Sequence, residues 1–418
     1  MKPCFFSADI LLPDFTKTDA RRWAVVACDQ FTSEPEYWAS VINEVGDAPS
    51  TLRLTLPEVW LSEAQARIPG IHAAMEDAMH EVLESHPGCM ICLDRTQSDG
   101  THRLGLIGTV DLEAYDYTRG AQTPIRATEG TVLERIPPRV AIRRGAPLEL
   151  PHVMLLIDDP DRTVIEPIFA RAAELETVYD FDLMLGGGHV CGRLLDEAAC
   201  GAVSDALAAL GTPEEMEKKY GAPKSPLLFA VGDGNHSLAT AKAAYEEIKA
   251  KLGDAALDHP ARYALAEVVN LHDSGLNFEP IYRVVFGVEP EELLSELTAY
   301  AASLSGSVEG QVTEAVWAGG NRTIVLPHAE QQLTVGTLQA FLDLYLRSHP
   351  EAEVDYIHGE GSLRALAGRP NAVGFLFEGM KKDQLFKSVL FDGALPRKTF
   401  SMGHAEDKRY YLEARKIR

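Results

Sequence analysis

The sequence predicts an α/β or α+β fold built on mixed sheets. Short apolar runs of strand length alternate with longer segments of helical spacing from end to end. The 418 residues, 46% apolar and 24% charged, are enough for more than one core. No window approaches the run of about 18 apolar residues that a membrane span needs.

The elements follow in order. "RWAVVACDQ" reads as a buried strand ending at Asp29. "SEPEYWASVINEV" reads as a helix with Ser33 as N-cap and Pro35 and Glu36 in the first turn. From Ile71, the residues Ala74, Met75, Ala78, Met79, Val82 and Leu83 recur at helical spacing. "GCMICLDR" and "HRLGLIGTVDL" are strands, and "HVMLLIDDP" is a short apolar run stopped by a turn. "DEAACGAVSDALAALG" is a helix opened by Asp196 and closed by Gly211. "PLLFAVG" is a strand and "HSLATAKAAYEEIKAKLG" a helix ending at Gly253. "RYALAEVVNLHD" and "IYRVVFGV" are strands, followed by the helix "PEELLSELTAYAASL". The last third continues with "TVGTLQAFLDLYLR" (helix), "VDYIHG" (strand), "SLRALAG" (helix), "NAVGFLFEG" (strand) and "KKDQLFKSVLFDG" (helix). Weak boundaries lie at Gly211–Pro226 and Ala318–Asn321, which suggests parts spanning 1–215, 216–318 and 319–418.

A net charge of −23 repels nucleic-acid phosphates, so neither extended DNA or RNA binding nor a membrane partner is expected. A small phosphorylated ligand in a local basic pocket remains compatible with it. The start, "MKPCFFSADILLPDF", lacks the features of a secretory signal, so a cytoplasmic location is expected. Six cysteines are too sparse for a disulfide scaffold. "CMIC" has no second pair for a zinc ribbon and lies in a strand, so Cys89 and Cys92 read as core residues.

The stretch "VGDGNHSLATA" is where chemistry would concentrate. A strand runs into Gly232 and Gly234, which permit a tight turn and close approach to a ligand. The helix then begins about Asn235–Ser237, and its free N–H groups and positive dipole end suit an anion. Asp233 could bind a metal ion or accept a proton, while Asn235, His236 and Ser237 could fix a phosphate or hydroxyl. A Walker A loop is excluded because no Gly-Lys-Ser/Thr follows, and the dinucleotide pattern lacks its third Gly. A calcium loop is excluded by Leu238 and Ala244 at its sixth and twelfth positions. No Gly-x-Ser-x-Gly elbow or His-Glu-x-x-His spacing occurs. The alternative is an ordinary N-capped helix after a glycine turn.

Other segments offer candidates. Arg119, Arg126, Arg135, Arg139, Arg143 and Arg144 cluster against only Glu129 and Glu134. They form either an anion-binding wall or salt bridges to the abundant carboxylates. Arg397 and Lys398 are a second basic pair. Gly186–Gly188 is a plain turn or a ligand-touching loop. Asp29, just past a strand end, is a magnesium ligand, a base, or a turn residue.

The pattern strand–Asp-Gly-x-His-x-x-x-x-Ala resembles the hallmark Asp-Gly-His-His-Arg-x-x-x-Ala of a large bacterial family catalogued as domain of unknown function 1015. "WAVVACDQFTS" resembles that family's strand and turn, which places its Asp at Asp29. Gly275, Leu276, Pro280 and Arg283 match Gly-Leu-x-x-x-Pro-x-x-Arg. Leu395, Pro396, Lys398 and Thr399 match its C-terminal Met-Pro-x-Lys-Ser/Thr run. The family label asserts no activity. More distantly, the turn resembles the phosphate-binding turn of the ParB and sulfiredoxin fold, which includes partitioning proteins, sulfiredoxins and a free-serine kinase. That resemblance implies a ParB/sulfiredoxin-like core with additional subdomains. It also implies that Gly234 allows close approach and His236 touches phosphate. The sequence departs at one position: Ser237 stands where an Arg is usual, so a bidentate phosphate contact is lost.

The resulting expectation is an enzyme using Mg²⁺ and a nucleotide for phosphotransfer to a small hydroxyl metabolite. Asp29, Asp233 and His236 are the catalytic candidates, with Asp29 and Asp233 also the metal candidates. Gly232, Gly234, Asn235, Ser237, Arg126, Arg139 and Lys398 are the phosphate-binding candidates. The expected partner is a nucleotide or small phosphorylated ligand, and a homodimer is left open. A non-catalytic nucleotide- or anion-sensing module is the alternative.

Overall fold

The apolar run "ALAEVV" needs two covers, because alternate side chains of a strand face opposite ways. In the computed structural model, which describes residues 2–131, 134, 136–221 and 225–418, it has both. The strand Tyr263–Asn270 lies inside a ten-stranded sheet, antiparallel to His102–Asp111 and parallel to Met154–Ile157. Ala264, Ala266 and Val268 join one apolar cluster, with Val203 and Leu207 of the helix Glu197–Leu210 and Leu238, Ala241 and Tyr245 of Asn235–Leu252. Leu265 joins the opposite cluster, with Trp38 and Val41 of Pro35–Val45, Met75 of Ala64–Glu81, and Trp23 and Tyr410. The sheet is mixed and covered on both faces, as the alternation predicts.

This sheet belongs to one of two compact units, formed by Met1–Ala127, Thr131–Leu276 and His404–Arg418. The other comprises Thr128–Gly130 and Asn277–Gly403. It carries a six-stranded sheet in which Phe278–Phe286 pairs with Glu353–His358, Ala372–Phe377 and Phe400–Met402. There the fully buried Arg283 donates to the carbonyls of Ile281, Arg397 and Lys398 and to Gln339. Two segments singled out in the sequence, around Arg283 and around Lys398, therefore meet through one guanidinium.

Several elements differ from expectation for identifiable reasons. "RWAVVACDQ" is a single helical turn, Ala20–Trp23, capped by Asp19, followed by only Val25–Val26 as strand. The helix after it starts at Pro35 with Glu34, not Ser33, as N-cap, because Glu34 N–H already closes a turn onto the Phe31 carbonyl. Leu83 leaves the helical pattern: Leu83–Cys89 is a strand paired with Ala8–Pro13, and sheet pairing outweighs local periodicity. Ala318 and Gly319 link two paired strands, Gln311–Trp317 and Gly320–Leu326, so that stretch is a hairpin turn. Cys89 and Cys92 are buried, and burial pushes both thiols up to about 11, as core residues require. Among the described residues no helix is long and apolar enough to cross a membrane.

The central strand carries one charge, Glu267, which is fully buried. Burial alone would raise its carboxyl, but the charges of Arg103 and Arg409 outweigh that and hold it below the ordinary value. Arg409 Nη1 lies 2.7 Å from Glu267, and its Nη2 lies 2.6 Å from Glu413. Removing one partner of a buried pair strands the other charge. Arg409→Met is therefore expected to lower unfolding stability by about 3–5 kcal/mol, measured by urea denaturation of the parent and variant.

Candidate functional site

Four stretches of backbone converge at the end of the strand Phe229–Asp233. Met154–Ile157 runs antiparallel to it, with Met154 opposite Asp233, so the residues just before Met154 lie beside the turn. Tyr410–Tyr411 pairs with Val25–Val26. That pairing carries Lys408 and Tyr411 to the residues following Val26.

Gly234 makes the turn possible. It is left-handed, φ 75° and ψ 28°, and caps the helix Asn235–Leu252. A Cβ there would stand 3.0 Å from Val153 Cα and 3.4 Å from the His152 ring. Any side chain would thus meet both strain and contact. The Asp233 carboxylate accepts the Gly234 N–H at 2.9 Å through Oδ1, and Lys408 Nζ lies 3.3 Å from Oδ2.

His152 is the hub of the remaining contacts. Its Nε2 is 2.7 Å from Ser237 Oγ and 3.9 Å from Asp29 Oδ2. Its Nδ1 is 2.9 Å from the Tyr411 hydroxyl, which also accepts the Cys28 N–H at 3.2 Å. Burial pushes the Asp29 carboxyl up, but the His152 charge, a Gln30 hydrogen bond and Lys408 together hold it below its ordinary value. Burial, reinforced by the Asp29 charge, pushes the Cys28 thiol up to about 12. Beside this hub lies a cavity of about 160 Å³. Its walls are largely apolar, with Leu54, Leu56, Met75 and Leu238 among them, and Ser237, His152 and Tyr411 also line it.

A family model described as "Protein of unknown function (DUF1015)" matches residues 13–416. The chain belongs to this family. A search of curated proteins returns no match. Among solved structures, a free serine kinase in complex with ADP is 10% identical, with a TM-score of 0.37 over 74% of this chain and 91% of that one. A conserved hypothetical protein from Pyrococcus furiosus is 10% identical, with a TM-score of 0.34 over 74% and 94%. SbnI with a C-terminal truncation, from Staphylococcus aureus, is 11% identical, with a TM-score of 0.34 over 71% and 82%. These likenesses are too distant to bear on the site.

In this family member, Asp29, Gly232, Asp233, Gly234, Asn235, His236 and Ser237 all lie on the turn or in the segments packed against it. Neither arginine proposed for phosphate presents a guanidinium of the kind expected. Arg126 is 3% exposed and donates to the carbonyls of Thr123, Ser225 and Pro226. Arg139 lines the cavity but pairs with Glu58. Arg143 and Arg144 likewise pair with Glu149 and Glu247, so three of the six arginines of this cluster serve salt bridges. Arg135 lies outside the described residues. Lys398 belongs to the second unit, where its ammonium sits 5.1 Å from the Tyr356 ring centre. Gly186–Gly188 ends a turn before the strand His189–Leu194, and His189 bridges Asp180 and Asp182.

The donor set does not suit a resident Mg²⁺. Both Asp233 oxygens are engaged, by Lys408 and the Gly234 N–H. Asp29 faces His152 and Lys408, so an imidazole and an ammonium occupy the space a divalent ion would share. Among the described residues, the group of three potential ligands close enough to share an ion is Glu292, Glu296 and His349, in the second unit. His152, Lys408 and Tyr411 are the site residues that sequence reasoning missed. The signal for His152 was faint: a polar residue at the mouth of an apolar strand.

Two outcomes are expected. Gly234→Ala should cost about 1–2 kcal/mol from the left-handed backbone alone, read by urea denaturation. A carboxyl lowered by folding contributes stability that is present above its unfolded value and is lost as pH falls through the folded one. Asp29→Asn should therefore lower stability at neutral pH, and the difference from the parent should vanish in acid.

Proposed function

We propose that the Gly232–Ser237 turn binds the phosphates of a nucleotide, and that the site transfers a phosphoryl group to the hydroxyl of a small metabolite. The observation that carries this reading is the meeting of a glycine-shaped helix N-terminus with Lys408. The sequence lacks the usual arginine at 237, and an ammonium from a distant segment supplies the missing positive charge. Backbone N–H groups of the first helical turn favour anionic oxygens, and Lys408 offsets charge on the bridging and terminal phosphates. Asp29, whose carboxyl is held below its ordinary value beside His152 and Lys408, would take the proton of an attacking hydroxyl. The apolar cavity at Ser237 suits the body of the acceptor molecule. Phosphoryl transfer asks little of a protein beyond positioning and charge neutralisation, and these residues offer both.

Thermal unfolding with ATP, ADP and AMP tests the reading. A ligand at a hundredfold excess over its Kd should stabilise the chain by about 2.7 kcal/mol. Lys408→Ala should abolish the shift. Asp29→Asn should keep it while losing nucleotide consumption in the presence of a hydroxyl acceptor. Absence of a shift with every nucleotide would sink the proposal. A shift without consumption by the parent protein would favour the non-catalytic sensor instead.

A further inference from the structure

Ser237 occupies the third position of an 18-residue helix, yet its hydroxyl does not bond back to its own helix. Thr240, one turn on, shows the ordinary behaviour: its Oγ1 donates to the His236 carbonyl at 2.7 Å. Ser237 Oγ instead points to His152 Nε2, at 2.7 Å. The imidazole is held from its far side by the Tyr411 hydroxyl, and Tyr411 is fixed by strand pairing to Val25. Lone-pair accounting is compatible with a base. The Tyr411 oxygen has two acceptor positions, one used by the Cys28 N–H and the other available to a proton on His152 Nδ1. In that tautomer Nε2 is unprotonated and accepts the Ser237 proton. The Asp29 carboxylate, 3.9 Å from Nε2, then stabilises the imidazolium. A hydroxyl, a base, a group that orients the base and a carboxylate that supports its charge form the constellation of an activated nucleophile. Cys28, the neighbouring thiol, is a poor competitor because burial keeps it protonated. Ser237 and His152 also line the cavity, so the oxygen has volume in front of it.

We infer that Ser237 is a covalent nucleophile, activated by His152, which takes the phosphoryl group of a phosphoanhydride donor before passing it to the acceptor. The inference rests on the phosphate-binding reading above and adds a phosphoserine intermediate to it. In the first half, Ser237 Oγ attacks the terminal phosphorus and an O–P bond forms. The bond from phosphorus to the bridging oxygen breaks, its electrons leave with the nucleoside diphosphate, and the serine proton moves to His152 Nε2. In the second half, the acceptor hydroxyl attacks the same phosphorus and gives its proton to Asp29, which releases it to water. The Ser237 oxygen leaves and recovers its proton from Nε2. Tyr411 is a positioning residue, because it acts only through the imidazole.

The test is incubation of the full chain with Mg·ATP, an acid quench, and peptide mass spectrometry, alongside the thermal-shift measurement. One phosphoryl group is expected on the peptide containing Ser237. It should be absent in Ser237→Ala and form roughly a hundredfold more slowly in His152→Gln. A nucleotide shift without phosphoserine, phosphate at another residue, or transfer by Ser237→Ala at the parent rate would overturn the inference and leave the binding reading standing. No shift and no phosphoserine would remove both. A second arm needs no nucleotide: Ser237→Cys should react with iodoacetamide at position 237 much faster than Ser237→Cys/His152→Gln. Equal rates would show that His152 does not activate this position.

Discussion

The buried contact between Glu267 and Arg409 is the constraint on which the site depends. A carboxylate in the middle of a fully covered strand is untenable without a partner. The partner comes from a segment far away in sequence, and Arg409 is flanked by Lys408 on one side and Tyr410–Tyr411 on the other. Satisfying one charge in the core therefore fixes the approach of Lys408 to Asp233 and of Tyr411 to His152. Arg409 also donates to the Pro151 carbonyl, next to His152. The same guanidinium thus steadies two of the four strands of backbone that build the site.

Much of the architecture was readable because it rests on local rules. The helix Glu197–Leu210 starts after Asp196 and ends before Gly211, as its caps dictate. The turn at Gly234 was legible because only a residue without a side chain fits a left-handed position packed on Val153. What escaped was non-local. Leu83–Cys89, "LESHPGC", has no apolar alternation and becomes a strand only because Ala8–Pro13 lies beside it. The hairpin Gln311–Leu326 hid behind a glycine pair that read as a boundary. His152 carries only a faint signal in its own segment, and Lys408 and Tyr411 carry none, since their meaning comes from partners far along the chain.

The arginine cluster shows how charge density misleads when read without partners. Arg139, Arg143 and Arg144 each meet a glutamate from another segment, the usual outcome in a chain with 62 acidic residues. The basic side chains that reach the turn are a single lysine and a histidine. Ser237, which looked like a loss beside the family pattern, changes character once His152 is placed: where a guanidinium is usual, a hydroxyl lies 2.7 Å from an imidazole nitrogen.

The pairing of Val25–Val26 with Tyr410–Tyr411 has a temporal consequence. It joins stretches separated by almost the whole sequence, and closing so long a loop is entropically slow. Glu267 draws on Arg409 of the same segment, so the central strand's buried charge is satisfied only when that segment docks. The docking that completes the core is therefore the same event that brings Lys408 to Asp233 and Tyr411 to His152.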